Sequence, residues 1–295
     1  MSTNRVRPLK ELPLQLSPRD PRFRNAIAKS NQALQAYALT QVKTNPKNKE
    51  REAAGRTIQA AFEEKIATSP AAKRALRTLD LHPLQDLDLK TKFPALNRLG
   101  VSQTARTGPW PFPSVQVRVR PYDWDWVWGN PMDTEHQKLS GDIAAIGGSG
   151  NVGGGTQDPV NASAGIGIVI TSNRYALVYV QAFIFYSWMY GVLGPLGSGW
   201  TKGGIEMAAT HDGNPLDGPR RTELFSESAS FSPERFGGQT GTMWATVSFN
   251  MAPGDLVLAR FGAWVECDHL LPKGAGLGHI EGTVEEIYIS RFNVS

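Results

Sequence analysis

Cysteine occurs once in the 295-residue chain, as Cys267. No intramolecular disulfide can form, so the fold does not depend on an oxidising compartment. Tryptophan is absent from the first 100 residues, which hold only two of the 30 glycines. Residues 1–15 also lack the apolar stretch of a Sec leader; they are polar, basic and proline-broken. Sec export is not expected, which leaves the cytoplasm or release by another route. No HExxH, GxSxG or P-loop pattern occurs, so none of the chemistries those motifs mark is indicated. Charge is missing from residues 175–201, a run long enough to cross a bilayer as a helix.

What is present divides the chain in two. The net charge of +4 hides 19 basic against 9 acidic residues before position 101, and 12 against 18 after it. All eight tryptophans follow position 100. We expect an extended basic arm over residues 1–20, a helical region with linker over 21–100, and a sandwich domain over 101–295.

Pro8, Pro13 and Pro18 keep the arm extended. Asp20-Pro21 is a helix start, with an acceptor at the cap and proline in the first turn. Phe23, Ile27, Leu34 and Tyr37 continue it at helical spacing to about Lys43. A second helix is expected over 49–67 and a short third over 69–79. Their apolar stripes are narrow, so docking on the sandwich or on a partner is expected.

From Ser114 the period is two. Val115, Val117 and Val119 alternate with polar residues, and Tyr122, Trp124, Trp126 and Trp128 alternate with Asp123, Asp125 and Val127. Further strands are expected at 138–146, 163–170, 175–190, 204–209, 222–231, 242–251, 255–267 and 282–292. About ten strands with glycine-rich turns predict a mainly β chain, an antiparallel β-sandwich or jelly roll.

The aromatic stripe is the strongest candidate binding feature. Tyr122, Trp124, Trp126 and Trp128 would make a platform for a glycan if exposed, or a core strand if covered. Asp123 and Asp125 project to the opposite face; together they could also serve as a carboxylate pair for glycoside hydrolysis. The GxGxxG match at 148–153 lacks a following helix, and we expect a surface loop there. His211, Asp212, Asn214 and Asp217 read as a polar turn, because the spacing of a calcium loop fails. Glu266, Cys267, Asp268, His269 and His279 lack the paired spacing of a zinc site. No metal, cofactor or catalytic residue is expected. Arg5, Arg7, Lys10, Arg19, Arg22 and Arg24 form a partner-binding arm, directed to protein or to the chain's own subunits, with nucleic acid the alternative.

A basic arm ahead of a jelly-roll-like domain resembles the layout of viral capsid and phage structural proteins, which implies a place in a homo-oligomer or larger assembly. The expected function is a non-enzymatic binding or structural module contacting a glycan or protein. The alternatives are a carbohydrate-active enzyme on the same sandwich and a membrane-active protein using residues 175–200, since a pore-forming hairpin would show aromatics at both ends.

Overall fold

Asp20 caps helix α1 (Pro21–Thr44), its carboxylate accepting the Arg22 amide at 2.9 Å, as the Asp-Pro pair predicts. The computed structural model describes residues 20–44, 57, 64, 68, 70, 115–129, 133–152, 155–157, 160–193, 198–230, 235–270 and 274–293. The arm and most of the second and third expected helices lie outside these residues. Thr57, Glu64, Thr68 and Pro70 are helical, and the Thr68 hydroxyl donates to the Glu64 carbonyl.

The rest is antiparallel β-structure in two layers, as the two-residue period requires. The first sheet runs β10 (Arg235–Met251), β7 (Ala176–Leu193), β12 (Ala275–Asn293), β4 (Asp142–Val152), β3 (Asp133–Gln137). Two short strands extend its far side: β1 (Val115–Arg118) pairs with β12, and β5 (Gly155–Gln157) with β4. The second sheet runs β2 (Trp124–Gly129), β6 (Val160–Thr171), β11 (Leu256–Leu270), β8 (Ser198–His211), β9 (Asn214–Ser230). The inner faces are apolar: Ile166, Ile168, Val180, Ile184, Phe261 and Ile287 are fully buried between them. At about 25 cal/mol per Å² of apolar area, this interior is the main stabilising contribution.

Two local expectations change. A single strand over 138–146 gives way to a turn between β3 and β4, with Gly141 at φ +77°. Residues 148–152 of the glycine-rich run are not a loop: 148–150 pair with β12, and Gly150 at φ +85° passes close to the Gly274 carbonyl. The ladder to β12 supplies the order that composition argued against. Asp212 (φ 50°) and Gly213 (φ 81°) make the tight hairpin turn between β8 and β9.

The tryptophan stripe is buried, but not between the sheets. Trp124, Trp126 and Trp128 are 3%, 2% and 6% exposed. They project from the outer face of the second sheet and, with Leu258, pack against Phe23 and Ala26 of α1. Trp126 pairs across the sheet with Gly165, which pairs with Gly262. With no side chains there, the indole lies flat: a Cβ on Gly262 would stand 2.5 Å from Trp126 Cζ2. Ser30 of α1 shares a buried 2.7 Å hydrogen bond with Thr210 of β8. The helix expected to need a docking surface finds it on its own sandwich.

Candidate functional site

The six aromatic and acidic residues singled out in the sequence do not form an open site. Tyr122 is 3% exposed and its hydroxyl donates to the Val284 carbonyl, while burial pushes its pKa well above the ordinary tyrosine value. The three indoles are covered as described, so no platform is presented to solvent there. Asp123 accepts Arg118 and the Val169 amide, both at 2.7 Å. Asp125 stands exposed on the other face of β2 from the indoles. Asp123 is thus occupied by structural bonds. Of the arm, Arg5, Arg7, Lys10 and Arg19 lie outside the described residues. Arg22 bonds back to Asp20 at 2.9 Å, and Arg24 is exposed on the first turn of α1.

The oxygen-rich and sulfur-containing clusters disperse. Asp217 is 8% exposed, accepts the Ser248 amide of β10 at 2.6 Å and pairs with Arg220. Cys267 faces the inner side of β11, its thiol donating to the Gly147 carbonyl and sharing a 3.2 Å contact with Thr201. Burial pushes that thiol up to about 12, so it is protonated and unreactive at neutral pH. Glu266 projects to the opposite side of β11, toward Arg221 and Lys202. His269 meets Ser149 at 2.6 Å. Among the described residues no group of three His, Cys, Asp or Glu side chains converges as metal ligands would.

Two features escaped the sequence. The first is a partly buried charge ladder on the outer face of the second sheet. Arg260 bonds Glu206, Glu206 bonds Arg221, Arg221 bonds Glu266, and Glu266 bonds Lys202. The Arg260 guanidinium lies 4.2 Å from the Trp126 ring centroid, and Arg221 lies 4.6 Å from that of Trp264. Each charge finds an opposite partner, which makes this ladder structural.

The second is a half-buried aromatic cluster of β7 and β9, beside β10. Tyr186, Trp188 and Tyr190 alternate along β7 and point between the sheets, beyond the fully buried core. Trp188 and Tyr190 are near-parallel, 15° apart with centroids 6.0 Å apart, and Phe225 of β9 stands 5.3 and 5.9 Å from them. Tyr190 and Tyr186 each have a glycine beside them on β10, Gly237 and Gly241. A Cβ at either would stand 2.5 Å from the ring or its hydroxyl, so glycine there gives the rings their room. Between them Gln239, exposed, pairs with Trp188 on the same face. Burial and the nearby Glu227 raise the Tyr190 pKa, against the opposing influence of Arg235, so its hydroxyl stays a donor at neutral pH. The cluster therefore joins flat apolar rings to hydroxyl, amide and carboxylate groups. Its sequence signal was the alternating Tyr186, Trp188 and Tyr190 in the uncharged run. The flanking glycines come from a strand about fifty residues away and could not be aligned without the register.

No family model matches the chain, and no curated protein is similar to it in sequence. Among solved structures, the CBM22-1 xylan-binding domain of Xyn10C from Paenibacillus barcinonensis aligns with 57% of this chain and 97% of its own, at 11% identity and a TM-score of 0.16. At that score the likeness carries no argument, and the β-sandwich stands on the strand pairing alone.

Proposed function

We propose that the chain is a non-enzymatic carbohydrate-binding module, with the Tyr186–Trp188–Tyr190 cluster as its glycan site. The observation that supports this is the near-parallel Trp188 and Tyr190 pair with Gln239 and Glu227 alongside. Sugar rings carry apolar C–H faces bordered by hydroxyls. Aromatic planes take the faces, and amide, phenol and carboxylate groups take the hydroxyls. The half-buried setting of the three rings suits a chain laid between the edge strands more than a deep pocket. The basic arm ahead of α1 would then tie the module to a protein partner or to a larger assembly.

The test is affinity electrophoresis against soluble β-glucan, xylan, galactomannan and pectin, followed by calorimetry with oligosaccharides of any retarding polymer. Retardation by at least one polymer, lost in Trp188→Ala and kept in Trp244→Ala, is the expected result. Migration unchanged by all four polymers overturns the reading.

A further inference from the structure

Edge strands in native sheets are usually short, bulged, charged or proline-bearing, because an open row of amides and carbonyls recruits another strand. Most edges here follow that rule. β1, β2, β3 and β5 have four, six, five and three residues. β9 is long but carries Pro215, Pro219, Asp217, Arg220, Arg221 and Glu223, and its pairing shifts register three times.

β10 breaks the rule. It runs 17 residues, pairs on one side only, and matches β7 without a single register shift. It has no proline, and no charged residue after Arg235. The Ser248 amide, turned away from β7, is taken by Asp217. By the alternation of a regular antiparallel ladder, Gly238, Thr240, Thr242, Trp244 and Thr246 turn their amides and carbonyls to the same outer side. Among the described residues no hydrogen bond reaches those backbone groups. Gly238, Thr240, Thr242 and Trp244 are also exposed.

We propose that this edge is the dimer interface of the protein, with β10 of a second copy pairing antiparallel to it about a two-fold axis at Thr242. The window has the symmetry that such pairing needs. Asp217 closes it at Ser248, and centring on Thr242 places Thr242 against itself, Trp244 against Thr240, and Thr246 against Gly238. Threonine pairs and aromatic–threonine pairs are favourable across strands, and no like charges oppose. The absence of charge favours a second copy over an ionic partner strand. The two seven-stranded sheets then join edge to edge. Because this pairing uses the outward backbone of β10, it is independent of the glycan reading.

The test uses the full-length chain. Sedimentation over a wide concentration range is expected to show a monomer–dimer equilibrium. Thr240→Lys/Thr242→Lys, on exposed side chains, is expected to weaken association by at least about tenfold, with thermal unfolding of the dilute monomer unchanged. Thr242→Cys, with Cys267 buried, is expected to form a covalent dimer on mild oxidation. Amide exchange at 238–246 should slow as the dimer forms. A monomer at every concentration overturns the proposal, and so does a dimer that survives the double lysine variant. Protection of the same amides in a monomer would overturn it in favour of a segment of the chain itself.

Discussion

The Arg260 guanidinium lies 2.5 Å from the Glu206 carboxylate, and both side chains are only 2% exposed. Burial lowers the arginine to about 10, which leaves it charged at neutral pH. The pair sits beneath tryptophan on the outside of a sheet, where an aliphatic side chain would be the ordinary occupant. Removing one partner strands the other charge away from water. Glu206→Gln is expected to cost about 3–5 kcal/mol in chemical denaturation. Arg260→Met/Glu206→Gln is expected to cost less than the single change, because it removes both buried charges. A double variant weaker than Glu206→Gln contradicts this account.

The thiol of Cys267 gives a pH prediction. Its pKa is raised from 9.0 to about 12, so between those values the folded chain keeps a proton that the unfolded chain gives up. The stabilisation is complete below about pH 9 and is lost as pH rises toward 12, at up to about 1.4 kcal/mol per pH unit. Stability measured from pH 8 to 10.5 should fall, and Cys267→Ala should make the slope shallower. Tyr122, raised by burial, contributes in the same direction above pH 10.

Much of the architecture was legible in the sequence, and the reason is local. Period-two alternation, Asp20-Pro21 and Asp212-Gly213 each act over a few residues, so strands, helix start and hairpin turn could be placed. What escaped depends on register. Glu206, Arg221, Glu266 and Arg260 look like ordinary surface charges until β8, β9 and β11 are aligned. The tryptophan stripe was identified as a strand face, but its cover comes from α1, about a hundred residues earlier. No local pattern says which face of an outer sheet a distant helix will occupy.

Gly262→Ala tests the flat seat of Trp126. The added methyl would stand 2.4 Å from the Ala164 carbonyl oxygen and 2.5 Å from the indole. Overpacking of this kind costs about 1–3 kcal/mol. Thermal unfolding should shift down, with a change in the near-ultraviolet tryptophan signal. An unaltered melting curve would mean that both the indole and the Ala164 backbone can shift at little cost.

Phe23→Ala tests the cover over the tryptophans. Phe23 is 5% exposed and packs in the cluster with Trp124 and Leu258. The loss should be roughly 3 kcal/mol for this helix contact. Tryptophan emission should shift to the red and become quenchable by iodide before the sandwich unfolds. Emission that stays blue and protected would show that α1 does not shield these indoles.

The Ser30–Thr210 bond joins positions 180 residues apart. During synthesis α1 leaves the ribosome before the strands, yet its seat exists only after β8 and β11 have been made and paired. Until then the Phe23 and Ala26 face has nothing to lie on, and closing so long a loop is slow. Helix α1, made before every described strand, is therefore among the last of the described elements to settle, and a nascent chain stalled before residue 256 would leave that greasy face open to chaperones.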